Sequence, residues 1–134
     1  MAERAVLHYE DLETFPDDNL RREIIGGELY VTPSPVPRHA KVADAIGDAL
    51  RVYARRVSGE CYTSAVDTVL SAQNVVVADV VYIGPDRLQT VGLKAIIGAP
   101  SLLVEVLSPS TQSIDRQNKR EVYARFGVPE YWIA

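Results

Sequence analysis

Apolar and polar residues change places in short runs along most of the chain, but two segments are almost unbroken apolar stretches: VVVADVVYI over 75–83 and LLVEVL over 102–107. Short runs rich in Val, Ile and Leu, bounded by Gly, Pro, Ser and Asn, are the pattern of strands covered on both faces. In the first, Val75, Val77, Asp79, Val81 and Ile83 share one face and Val76, Ala78, Val80 and Tyr82 the other, which predicts one central strand over 75–83. In the second, Leu103, Glu105 and Leu107 share a face. Each predicted strand therefore carries one carboxylate in an apolar setting, Asp79 and Glu105.

The remaining pattern supplies the elements around these strands. Residues 9–15, YEDLETF, read as a short helix docked by Leu12 and Phe15 and ended by PDDN. RREIIGGELYVT reads as a hairpin turning at Gly26-Gly27, with Glu23 on its first strand. TPSPVPR, with three prolines in five residues, is excluded from a helix interior or a central strand and predicts an ordered turn leading into a helix. From about 38 to 57, Val42, Ile46, Leu50, Tyr53 and Val57 recur at helical spacing, with His39 at the start of that stripe and Ser58-Gly59 at its end. A strand at about 66–70 joins the 75–83 strand through SAQN as a hairpin, and GPDRLQTVGLKAIIGAP is a connection with one helical turn inside it. After SPST, residues 113–126 predict a second amphipathic helix whose inner face reads Asp115, Lys119, Val122, Tyr123 and Phe126. Gly127 caps it, Pro129 prevents its continuation, and EYWIA begins another strand. Strands mixed with two amphipathic helices make this an α/β chain.

Composition narrows the setting. A chain of 134 residues is enough for one core, so a single domain over 1–134 is expected, and 47% hydrophobic with 24% charged residues is the balance of a soluble globular protein. No apolar run approaches the roughly 20 residues that span a bilayer, and the N-terminus has no signal-peptide pattern, which together imply a cytoplasmic protein with no membrane partner. The lone Cys61 excludes an intrachain disulfide framework and reads as a buried small residue, and one Cys with two His can hardly build a zinc site. A net charge of −4 counts against a simple nucleic-acid-binding module. It counts less against a metal-dependent enzyme, because carboxylates reserved for cations add negative formal charge. The last residues stop three or four positions into a strand, so either the chain is truncated at its C-terminus or a neighbouring copy completes the sheet in a homo-oligomer such as a dimer.

The chemistry concentrates in Glu23, Asp79, Glu105 and Lys119. A carboxylate buried without a partner costs several kcal/mol, roughly, unless it is protonated, paired or bound to a cation. Two carboxylates converging from neighbouring strands suit Mg2+ or Mn2+, which take oxygen ligands and keep several waters. Such an ion lowers the pKa of bound water and stabilises the charge of a phosphodiester transition state. Lys119 interrupts the apolar face of its helix, where it can orient that water or add positive charge. Each residue also has a plainer reading: Lys119 extending to solvent or pairing with Asp115, Asp79 satisfied by backbone donors, Glu105 a paired structural carboxylate, Glu23 solvated beside Arg21 and Arg22, and His39 a hydrogen-bonding group at a helix end.

The segments REIIGGELYVTPSPVPRH, VVVADVVYIGPDRL and GAPSLLVEVLSPSTQSIDRQNKREVYARFGVPEYWIA resemble the successive motifs of the Uma-type restriction endonuclease family, formerly a domain of unknown function. LLVEVLSPST followed by Asp115, Lys119 and GVPEYW is the most specific part. The resemblance implies the PD-(D/E)XK nuclease superfamily, a restriction-endonuclease-like mixed β-sheet flanked by helices, and metal-dependent cleavage of DNA phosphodiesters. It makes Asp79 and Glu105 the metal-binding motif carboxylates, Glu23 the additional acidic residue and Lys119 the lysine of the following helix. Ala78 stands where the superfamily motif has proline, Leu107 where its lysine follows the glutamate by two, and the family normally continues beyond EYWIA. Leu107, the acidic composition and the short C-terminus favour an alternative, a non-catalytic nuclease-fold module for binding or assembly. A glycosidase reading is disfavoured, because one Trp and two Phe offer few aromatic sugar platforms.

Overall fold

The computed structural model describes residues 6–32, 35–63, 66–107 and 115–134, the side chains of 115–117 excepted. The glycine hairpin forms as expected: β1 (Arg21–Ile25) and β2 (Glu28–Thr32) are antiparallel, with Ile25 opposite Glu28. Gly26 and Gly27 both take positive φ, 59° and 80°, which a two-residue turn matching strand twist demands. Before it, the short helix is a 3-10 helix over Tyr9–Thr14, and Leu12 packs with Leu7 and Tyr9 on Ile24, Val69 and Val75.

The order continues α1 (Pro37–Val57), β3 (Glu60–Tyr62), β4 (Thr68–Ser71), β5 (Asn74–Val76), β6 (Val80–Ile83), β7 (Ile96–Ile97), β8 (Leu102–Glu105), α2 (Asp115–Arg125) and β9 (Glu130–Ile133). Among the described residues these strands form two mixed sheets, one ordered β2-β1-β5-β4-β7 and the other β3-β6-β8-β9. The parallel pairs are β4 with β7 and β8 with β9. One core joins Val76, Val81, Ile83 and Leu103 to Tyr123 of α2, and a second lies under α1. The expected α/β arrangement of mixed strands flanked by helices is thus present.

Three expectations need correcting. The 75–83 run is not one strand. It leaves the first sheet after Val76 and joins the second at Val80, because the Val77 N–H donates to the Glu23 carboxylate at 2.9 Å and the Asp79 N–H to the Val104 carbonyl at 3.1 Å. Nothing in the run marks this change of partner, since both halves are equally apolar.

The inner face of α1 lies beside the predicted stripe. Ala43, Gly47 and Ala54 are buried, with Ile46 and Leu50 packed on Val80, Leu102 and Val104, whereas Val42 and Tyr53 are 37% and 50% exposed. Small residues win these positions because the helix lies so close to the strand side that a Cβ on Gly47 would collide with the Thr63 methyl. At the helix end it is Ser58 that takes the left-handed conformation, φ 63°. Gly59 serves a different purpose, since a Cβ there would lie 2.6 Å from the Ile83 carbonyl oxygen.

Finally, β3 and β7 were not expected: three and two residues long, they are too short for an alternation to show. The helix expected over 113–126 is α2, and β9 lies alongside β8 with Tyr131 opposite Leu103. No helix among the described residues is long and apolar enough to cross a membrane.

Candidate active site

The change of sheet at Val77–Asp79 brings the four predicted residues to one place. Residues of β6 and β8 pair antiparallel as far as Val80 opposite Val104; beyond that the Asp79 N–H donates to the Val104 carbonyl and the Asp79 carboxylate accepts from the Val106 N–H, so the carboxylate lies against the end of β8 that carries Glu105. Glu23 enters from β1, and Lys119 from α2. Lys119 is 3% exposed, and its Nζ lies 2.8 Å from Glu23 Oε2 and 2.8 Å from Glu105 Oε1. It does not extend to solvent. Whether it also meets Asp115 lies outside the described residues.

The hydrogen bonds define separate roles for the carboxylates. Glu23, 3% exposed, accepts from both the Val77 N–H and Lys119, so it ties the first sheet to the sheet-changing segment and to α2. Asp79 Oδ2 accepts from the Val106 N–H at 2.6 Å, and Oδ1 faces Arg21 Nη1 at 2.8 Å. Glu105 Oε1 accepts from Lys119 and from the Tyr123 hydroxyl at 3.0 Å.

Three further residues belong to the site, and the sequence reading gave none of them a part in the chemistry. Arg21 stands two positions before Glu23 on β1, hence on the same face; that period-two relation was the available signal. Tyr123 follows Lys119 by four on α2, the spacing that stacks side chains on one helix face. His39 lies at the N-terminal turn of α1, and its Nε2 is 2.9 Å from the Val106 carbonyl and 3.3 Å from Asp79 Oδ2. Because a carbonyl only accepts, Nε2 carries the hydrogen. The plain expectation of a helix-end hydrogen bond thus holds for His39, but its position beside Asp79 depends on how α1 crosses β8.

Charge is only partly compensated. Burial drives the Glu105 carboxyl up to about 7, against the pull of Lys119 and with the help of the Glu23 and Asp79 charges. Burial alone would lower the Lys119 pKa; Glu105 and Glu23 more than reverse this and raise it, so Nζ stays protonated. For Arg21, burial again acts downward and is outweighed by Asp79 first, then Glu105 and Glu23. Burial and the neighbouring carboxylates hold the Tyr123 hydroxyl well above its usual range, so it stays protonated and donates to Glu105. Three carboxylates thus face two fixed cations.

Among the described residues no three His, Cys, Asp or Glu side chains gather closely enough to cage an ion by themselves; Lys119 bridges Glu23 and Glu105, and Arg21 pairs with Asp79. Mg2+ and Mn2+ do not need such a cage, as one or two carboxylates with water suffice. The donor set of hard carboxylate oxygens fits such an ion. Beside the cluster, a groove of about 660 Å³ is lined by Arg21, Arg22, Phe15, Asp67 and Val77 among others.

The fold and site define an α/β protein with a carboxylate and lysine cluster where two mixed sheets meet. The Uma2 family, described as "Putative restriction endonuclease", matches residues 8–134, and the chain belongs to it. Among solved structures, the chain is similar to "a putative nuclease belonging to DUF820" from Anabaena variabilis, with a TM-score of 0.75 and 17% identity over 95% of this chain and 73% of that one. That likeness establishes the fold. A comparison with curated proteins finds no match.

Proposed function

We propose that this protein is a metal-dependent endonuclease that hydrolyses DNA phosphodiester bonds with Mg2+ or Mn2+. The observation that carries the reading is the buried Lys119 ammonium, 2.8 Å from Glu105, on the strand directly beside Asp79. Membership of a family described as restriction endonucleases supports it, as does the nuclease-like fold. Asp79 and Glu105 are the residues that would hold the ion, which when bound supplies an acidified water and a counter-charge for the phosphoryl oxygens.

The chain's own groups account for the rest. Lys119, kept protonated by its two carboxylates, is not a base; its N–H groups orient the attacking water and offset negative charge at the phosphorus. Glu23 holds Lys119 Nζ and the Val77 amide in place and so acts by positioning. Tyr123 fixes the orientation of the Glu105 carboxyl.

The test is cleavage of duplex and single-stranded DNA with Mn2+ by the wild type, Asp79→Ala, Glu105→Ala and Lys119→Met. Loss of at least about a hundredfold in rate is expected for each variant, the scale of one removed transition-state contact. Full metal-dependent cleavage by Asp79→Ala or Glu105→Ala would sink the proposal. A wild type that folds but neither binds Mn2+ nor cuts would favour the non-catalytic module, for which the acidic composition and Leu107 speak.

A further inference from the structure

Arg21 is placed oddly for a nuclease. Asp79 is almost fully buried, its side chain 2% exposed, and the group on its solvent side is the Arg21 guanidinium, 20% exposed. Asp79 Oδ2 is taken by the Val106 amide and lies near His39, so Oδ1 is the oxygen a cation entering from solvent must reach. Arg21 Nη1 already occupies that approach at 2.8 Å. A guanidinium and a divalent ion on one carboxylate oxygen repel each other, and the desolvated surroundings strengthen that repulsion.

The same side chain has somewhere to go. It lines the open groove beside the cluster together with Arg22, and its remaining contact, to the Val77 carbonyl at 3.5 Å, is long. Guanidinium is the side chain best matched to two phosphate oxygens at once. Resting on the metal-centre reading of Asp79 and Glu105, we infer that Arg21 is a displaceable counter-cation: it neutralises Asp79 in the metal-free protein, is expelled when the divalent ion arrives, and then binds a non-bridging oxygen of the phosphodiester in the groove. The exchange keeps the buried Asp79 paired before the ion binds and couples ion binding to capture of the DNA backbone.

The exchange is tested by titrating metal-free protein with Mn2+, and separately by titrating duplex DNA into protein in Ca2+, for wild type, Arg21→Gln and Arg21→Lys. Arg21→Gln is expected to bind Mn2+ at least about tenfold more tightly, the scale on which a neighbouring charge biases a carboxylate, while binding DNA about tenfold more weakly. A merely structural role would weaken both. Arg21→Lys keeps the charge but lacks the planar fork, so its Mn2+ affinity stays within about threefold of wild type while its DNA affinity falls. Unchanged or weaker Mn2+ binding by Arg21→Gln overturns the inference. If that variant does not fold, Arg21→Lys decides, and DNA binding equal to wild type overturns it. A wild type that binds no Mn2+ refutes the metal centre and the exchange with it, whereas wild-type binding that Arg21→Gln fails to tighten refutes the exchange alone.

Discussion

Lys119 carries the largest electrostatic burden of any residue in the cluster. It is buried, and its ammonium is the shared partner of Glu23 and Glu105. Removing one member of a buried ion network leaves the others charged and unpaired, at a cost of about 3–5 kcal/mol. Lys119→Met keeps the volume and the helix propensity, so it is expected to lose about that much stability in urea unfolding at neutral pH. A loss below about 1 kcal/mol would mean that the two carboxylates take up protons or other partners freely. The inward position of Lys119 was readable from its place on the apolar face of a helix. Its ion pairs were not, because Glu23 stands 96 positions earlier in the chain, and that pairing is made only when α2 packs against β1.

At the scale of elements, α1 shows where periodicity misleads. Val42 and Tyr53 have the side chains that a hydrophobic stripe selects, yet Ala43, Gly47 and Ala54 face the protein. The deciding quantity is separation: a helix that approaches this closely excludes large side chains from its line of contact. Gly47→Val is therefore expected to lower stability by about 1–3 kcal/mol through overpacking against Thr63. Val42→Ala, at a position the stripe marks as core, is expected to cost less than about 1 kcal/mol. Thermal or urea melts of the two variants check the pair, and the reverse order would restore the stripe. The 75–83 segment teaches a related lesson. Its strand character was evident, but its division between two sheets depends on acceptors from Glu23 and Val104 that lie far away in sequence.

At the scale of the whole molecule, the cluster couples folding to protons and metal. Glu105 is pushed up from 4.5 to about 7, so the folded chain holds this proton more tightly than the unfolded chain. Its contribution to stability is fully present below about pH 4.5 and is lost as pH rises through about 7. In metal-free protein, the stability of the wild type relative to Glu105→Gln is expected to fall by on the order of 1 kcal/mol per pH unit across that window. A flat difference would show that Lys119 keeps Glu105 ionised throughout. Mn2+ should act in the opposite sense at neutral pH: at about a hundred times its Kd it adds roughly 2.7 kcal/mol to the wild type, and it should add nothing to Asp79→Ala. Both effects are read from melting curves.

Local pattern by itself determined the alternating hairpin at Gly26-Gly27, the two helices, the apolar strands and the anomaly of carboxylates within them, because these depend on periods of two and 3.6 residues and on the cost of burying charge. Motif resemblance added the family, which the match over 8–134 bears out. Only the tertiary structure decided that the long apolar run serves two sheets, that α1 packs through its small residues, and that Arg21, His39 and Tyr123 join the site. Those outcomes depend on distances between segments remote in sequence, which no local period encodes.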